Sequence, residues 1–166
     1  NVLNSAMAAL QELNLSDNDI DDEGVDVLVG ALADSRLSGL YLSQNNITAR
    51  GCQSLASLLE RPNSNLERLY LSSNNMGDER ALIFANALAT DRKLKILDID
   101  NNGVTAEGYS SFSKVLCDTS SINNTFLSNH TLEYLAWVGP NMPVDVQASL
   151  ALNRSSDDKK QVAIKK

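Results

Sequence analysis

Leu10, Leu13 and Leu15 are followed by Asn18 and Ile20, and the same spacing returns as Leu37, Leu40, Leu42, Asn45 and Ile47. It returns again as Leu66, Leu69, Leu71, Asn74, Met76 and as Leu94, Leu97, Ile99, Asn102, Val104. The starts at 10, 37, 66 and 94 are 27, 29 and 28 residues apart. One period later Ile122, Thr125, Leu127, His130 and Leu132 form a fifth frame in which two positions have become polar. Two leucines two residues apart share one face of a strand, because successive strand side chains alternate. After each frame the period lengthens to that of a helix: Val25, Leu28, Leu32; Cys52, Leu55, Leu59; Ala81, Phe84, Leu88; Tyr109, Phe112, Leu116. Each unit therefore predicts as strand, loop, helix.

Acidic residues stand where each helix should begin, at Asp21, Asp22 and Glu23, at Asp78 and Glu79, and at Glu107, as the positive end of a helix dipole favours. Gly24, Gly51 and Gly108 fall four residues after the last frame position, where a tight turn is expected. Arg80 takes that place in the third unit, whose turn should differ.

One strand and one helix cannot cover both apolar faces, so successive units must stack strand beside strand. The stack curves because helices are wider than strands. The recurring asparagine sits where the chain leaves the strand, and an inward amide there can donate and accept. The frame L-x-x-L-x-L-x-x-N-x-L at a period near 28 resembles the ribonuclease-inhibitor type of leucine-rich repeat, shared by ribonuclease inhibitors, Ran GTPase-activating proteins and the sensing domains of NOD-like receptors. Residues 120–132, from Ser120 to Leu132, are also similar to the closing repeat of leucine-rich repeat proteins of unicellular algae. The resemblance implies an α/β solenoid with a parallel sheet on the concave face, helices on the convex face and a helical cap at the C-terminus. Five repeats are expected over residues 10–133, starting at 10, 37, 66, 94 and 122. Residues 1–9 read as the end of an earlier helix or an N-terminal cap.

Charge divides the chain at the same place. Residues 1–133 carry 9 basic and 18 acidic side chains, and residues 134–166 carry 5 and 3. In that last segment Gly139, Pro140 and Pro143 interrupt the pattern. A short apolar helix is expected over Val144–Leu152, with Trp137, Met142, Val146, Leu150 and Leu152 suited to cover the end of the stack. The lysines at 159, 160, 165 and 166 read as a solvated basic tail. The net charge of −7 repels phosphate backbones and argues against nucleic-acid binding. No apolar run is long enough for membrane insertion. The chain opens on Asn1, which reads as a segment of a longer polypeptide.

Candidate binding residues lie on the strands, where alternate side chains leave the core. The residue between the two strand leucines is Asn14, Tyr41, Tyr70, Asp98 and Phe126 in the five units. Three of these are aromatic in a chain with 5% aromatic residues, and exposed aromatics are common interface anchors. Flanking columns read Glu12, Gly39, Arg68, Ile96, Asn124 and Ser16, Ser43, Ser72, Asp100, Ser128. Small serines would leave the aromatic faces accessible. Arg68, Asp98 and Asp100 would add polar selectivity.

Other motifs fail on inspection. Asp98 to Gly103 opens like a calcium-binding loop, but Tyr109 stands where a bidentate glutamate is needed. Asp17 to Asp21 is followed by Asp22 in place of the required glycine. His130 occupies the asparagine position of the fifth frame without a nucleophile motif. Cys52 and Cys117 lie two repeats apart, too far to bridge, and read as reduced core residues. Asn-x-Ser/Thr triplets at 14, 46, 123, 129 and 153 follow from a repeat rich in these residues.

The expected function is that of a non-catalytic protein-interaction module. It would bind a protein or peptide on its concave face without cofactor or metal, in a reducing intracellular compartment. A structural subunit of a larger assembly and a regulator of a small GTPase are the alternatives.

Overall fold

The computed structural model describes residues 10–32, 35–136 and 140–155. Four strands, β1 (Glu12–Asn14), β2 (Gly39–Tyr41), β3 (Arg68–Tyr70) and β4 (Ile96–Asp98), lie side by side in chain order as one parallel sheet. The register follows the frame: Leu13, Leu40, Leu69 and Leu97 are neighbours, as are Asn14, Tyr41, Tyr70 and Asp98. Entry into each strand is fixed by one carbonyl that receives two N–H groups of the next unit. Gln11 O takes those of Ser38 and Gly39, Ser38 O those of Glu67 and Arg68, and Glu67 O those of Lys95 and Ile96.

Helices α1 (Asp22–Ala31), α2 (Ala49–Leu59), α3 (Gly77–Leu88) and α4 (Ala106–Leu116) form the second layer. Between the layers the frame leucines meet the helix residues of the 3.6 period, and Leu40, Leu69, Leu97, Leu55, Phe84 and Phe112 are wholly buried. Each such side chain contributes roughly 2 kcal/mol by removal from water. Because every unit buries its own set against the next, the core runs the length of the stack.

The asparagines behave as expected of inward amides. Asn45 Nδ2 donates to Leu15 O and Leu42 O, both at 3.0 Å, and its Oδ1 accepts from Ile20 N at 3.0 Å. Asn74 repeats this one unit later, with Leu42 O, Leu71 O and Ile47 N. Asn102 joins Leu71 O, Asp100 O and Asn74 N. The residue before each asparagine, Asp17, Gln44, Ser73 and Asn101, is left-handed, with φ between 52° and 58°. That bend turns the chain off the sheet.

The acidic helix starts do more than complement a dipole. Asp22 accepts Thr48 N at 2.8 Å and Thr48 Oγ1 at 2.6 Å, so the first unit holds the N-terminus of the second unit's helix. Asp78 holds Thr105 in the same way, at 2.7 Å for both bonds. Gly24, Gly51 and Gly108, expected at tight turns, all lie inside helices, and the clamps account for glycine at the last two. A Cβ at Gly51 would come 2.6 Å from Asp22 Oδ1 and 2.8 Å from Ile47 Cγ2, and one at Gly108 would collide with Asp78 and Val104. Ala49 stands where Asp22 and Asp78 stand in their units, and the clamp between the second and third units is missing. There the turn does differ: Gly77 has φ +66°, and Met76 before α3 is itself in helical conformation, where the other three helices of this layer are preceded by an extended residue.

The closing unit departs from the expected period. Residues 122–127, expected as the fifth strand frame, form a short helix, α5 (Ile122–Leu127). The fifth rung is instead Glu133–Leu135: Lys95 O receives Glu133 N and Tyr134 N, Leu97 N donates to Tyr134 O, and Tyr134 bridges Ile96. Leu132 thus matches Leu94 at a distance of 38 residues, so the final unit carries a ten-residue insertion. Asn129, rather than His130, takes the structural polar role. It accepts Thr131 N and Leu132 N on Oδ1, as Asp91 accepts Lys93 N and Leu94 N before the fourth rung. His130 is buried, with Nε2 3.3 Å from Phe126 O.

Helix α6 (Val144–Ser155) packs on α4 and brings Val146 and Leu150 into the core, joined by Met142 from the turn before it. Its Asn153 donates to Leu132 O at 2.6 Å, a contact that ties the cap to the last rung. Trp137, the segment 1–9 and the terminal lysines lie outside the described residues.

Candidate concave binding face

Positions 12, 39, 68, 96 and 134 form one row across the sheet, and 14, 41, 70 and 98 form the next. Side chains two apart on a strand share a face, so both rows look away from the helices. The register places Asn14, Tyr41, Tyr70 and Asp98 in the expected column, with Arg68 beside them. Phe126 is not in it. It lies on α5, about half exposed, because the insertion moves the last rung past it.

Tyr41 and Tyr70 stack face to face, with ring centroids 4.7 Å apart and planes inclined by 4°. Parallel strands about 4.8 Å apart impose this separation on side chains at matching positions. The inner ring faces therefore cover each other, and the small neighbouring serines do not leave both faces open. Those serines bond across the strands instead, Ser72 Oγ donating to Ser43 Oγ at 2.9 Å.

The pair is braced on the β1 side. Arg68 Nη2 meets Glu12 Oε1 at 2.7 Å, and Tyr41 OH donates to Glu12 Oε2 at 3.4 Å. Both groups lean over Gly39, where a Cβ would sit 3.3 Å from Tyr41 Cε2 and 3.4 Å from Arg68 Nε. Glycine at 39 thus makes room for a guanidinium and a ring that a larger residue would displace. The Arg68 charge is already matched within the chain.

The β4 side is different in chemistry. Asp98 accepts Asp100 N at 3.1 Å, and Tyr134 OH donates to Asp100 Oδ2 at 3.2 Å. Burial holds the Asp98 carboxyl above its ordinary value, with the neighbouring Asp100 charge adding to the effect. Burial and the same two carboxylates raise the Tyr134 hydroxyl. Tyr134 joins this face at the fifth rung, a place that the 28-residue period hid. The signal for it was present in Asn129-x-x-Leu132-x-x-Leu135, which repeats the Asp91-x-x-Leu94-x-x-Leu97 that leads into β4.

The cysteines do not enter this face. Both are free, Cys52 wholly buried and Cys117 partly so. Burial, with Asp22 nearby, pushes the Cys52 thiol up to about 12, so it is an unreactive core residue. Asn129 and Asn153 of the Asn-x-Ser/Thr triplets are buried and hydrogen-bonded.

A parallel sheet lining one side of a repeated strand–loop–helix stack, with an asparagine ladder at its rim, defines a leucine-rich repeat solenoid. The leucine-rich repeat family model matches residues 8–29, 37–56, 63–79 and 90–113, half of the chain, and the chain belongs to that family. Its relatives make it a repeat of the ribonuclease-inhibitor type. The chain is 34% identical over 131 residues to NACHT, LRR and PYD domains-containing protein 3 of Rattus norvegicus, covering 77% of this chain and 13% of that protein. It is 32% identical over 130 residues to the ribonuclease inhibitor of Mus musculus, covering 76% of this chain and 28% of the inhibitor. The aligned part is therefore a minor portion of either relative. Among solved structures, one titled Leiomodin-1 Actin-Binding Site 2 matches with a TM-score of 0.76 at 16% identity, over 98% of this chain and 91% of that one. At that identity the likeness is one of fold.

Proposed function

We propose that the chain is a non-catalytic protein-interaction module that binds a protein or peptide through its concave face. The observation that carries this is the Tyr41–Tyr70 stack, ordered before any partner arrives by the Glu12–Arg68 pair and by the space at Gly39. Fixed aromatic area loses little side-chain freedom on binding, so more of its burial energy is expressed as affinity. Asn14, Arg68, Asp98 and Asp100 border the stack and supply polar contacts. A ribonuclease inhibitor and an actin-binding site are both named for the protein they engage, which supports a binding role for this scaffold. The free thiols agree with a reducing intracellular compartment.

The test is affinity capture from a lysate of the source cells, followed by a binding isotherm for the main captured protein. Tyr41→Ala with Tyr70→Ala should weaken that interaction by about tenfold or more, the loss typical of central aromatic anchors. Equal affinity for the wild-type chain and the double variant, with both folded, rejects the concave face as the binding surface.

A further inference from the structure

The two ends of the stack differ in how far they are closed. Among the described residues each end unit has a neighbouring rung on one side only. In the first unit Leu10, Leu13 and Leu28 are accordingly only partly buried. Their counterparts in the last unit, Leu132, Leu135 and Leu150, are 0%, 0% and 3% exposed. A cavity of about 230 Å³ lies at this end, between the last rung and α6, with Leu135, Ala136, Leu150 and Arg154 in its wall.

The chain beyond α6 carries the pattern of one more rung. Val162 follows Leu135 by 27 residues, the interval from Leu13 to Leu40, and Ile164 follows Val162 as Leu15 follows Leu13. Two apolar residues two apart share one face of a strand. Each rung after the first is entered from a polar turn residue five or six positions ahead of its central leucine. Ser35 accepts Leu37 N, Ser64 accepts Leu66 N, Asp91 accepts Leu94 N and Asn129 accepts Leu132 N. Ser156 and Asp157 stand six and five positions ahead of Val162. Helix α6 ends at Ser155, next to Arg154 in the cavity wall, so the chain leaves the helix beside the edge in question.

We propose that residues 160–165 add to the last rung as a further parallel strand, with Val162 and Ile164 turned inward against Leu135 and Leu150. Glu133 O then receives Lys160 N and Gln161 N, continuing the series of entry carbonyls Gln11, Ser38, Glu67 and Lys95. Leu135 N donates to Gln161 O as Leu97 N donates to Tyr134 O. Gln161 extends the outward row that runs from Glu12 to Tyr134. The strand takes up the N–H and C=O groups that an open sheet edge offers to other chains. A second copy, or a strand of a partner, must displace it to pair with the last rung, so the segment guards that edge. This goes beyond the concave-face reading and holds whichever surface the partner takes.

The experiment is amide hydrogen exchange by NMR on the whole chain, with methyl NOEs recorded on the same sample. The amides of Leu135, Gln161 and Ala163 should exchange at least about a hundredfold more slowly than in an unstructured chain, and the Val162 methyls should show NOEs to Leu135 and Leu150. Val162→Asp with Ile164→Asp should remove the protection of Leu135 N and leave that of Leu42 N, bonded to Tyr70 O, unchanged. Lys166→Ser should alter neither. Free exchange at Gln161 and Ala163 in the unaltered chain, or absence of the Val162 NOEs, overturns the proposal even where the double variant fails to fold. Protection of Leu135 that survives in a folded double variant overturns it as well. So does protection of Leu135 that appears only as protein concentration rises, which assigns the edge to a second copy instead.

Discussion

The first four units and the closing unit are built from the same parts but obey different rules of spacing. From β1 to β4, distance in sequence is distance in space, since each rung comes 27 to 29 residues after the last. Asn45, Asn74 and Asn102 each serve carbonyls of their own unit and of the one before it. In the closing unit the rung comes ten residues late, and a helix stands where the period calls for a strand. The rung forms nonetheless, because Asn129 rebuilds the turn that Asp91 makes and Leu132 and Leu135 fill the places of Leu94 and Leu97. Local turn chemistry and the next apolar pair therefore set a rung, and a constant count is only their usual consequence.

The largest expected difference between the two regions lies in their polar ties. Asn74→Ala leaves Ile47 N, Leu42 O and Leu71 O without their amide partner, and should cost about 3 kcal/mol in a denaturant melt. Asn153→Ala, in the cap, should cost about 2 kcal/mol. Its Nδ2 serves Asn129 O and Leu132 O, but its Oδ1 has no hydrogen-bond partner among the described residues, so less is lost. An equal or reversed order would mean that the ladder is no more cooperative than the cap.

This contrast explains what could be read from the sequence. The four strands, their register, the four long helices, the capping helix and the asparagine bonds all follow from apolar spacing, which directly encodes which face is buried. The column Asn14, Tyr41, Tyr70, Asp98 followed with them. Phe126 was misplaced and Tyr134 missed because an insertion changes the count without changing the local signals. The Glu12–Arg68 brace and the role of Gly39 were not legible, since they depend on how two long side chains fold over a neighbouring strand. The Asp22–Thr48 and Asp78–Thr105 clamps were half legible: the acids were placed at helix starts, but their partners lie in the following unit.

Those clamps give an intermediate effect. Asp78 has its carboxyl held below the ordinary value by the bonds from Thr105 N and Oγ1, opposed by slight burial and helped by Gly108 N. A depressed carboxyl contributes stability above the unfolded pKa and loses it as pH falls through the folded one. Asp78→Asn should therefore lower stability by about 1 kcal/mol at neutral pH, the usual value of a helix N-terminal side-chain bond, and the gap should close as pH drops below about 4. Asp145→Asn, in the first turn of α6, should stay within about 0.5 kcal/mol across the same range. A pH-independent loss at Asp78 would show that the clamp works through shape rather than charge.

The smallest effects are expected on the insertion itself. Ile122, Phe126 and Leu127 are 93%, 52% and 57% exposed, so each loses little apolar contact on replacement. Ile122→Ser, Phe126→Ser and Leu127→Ser should each change stability by less than about 0.5 kcal/mol. Leu97→Ala, wholly buried one rung away, should cost about 3 kcal/mol. The same three surface variants separate the two regions in binding. If the concave face is the partner surface, they retain the captured protein at full affinity while the double tyrosine variant loses it. The opposite pattern would make α5 the binding element, and the ten-residue insertion would then be the functional departure from an otherwise regular stack.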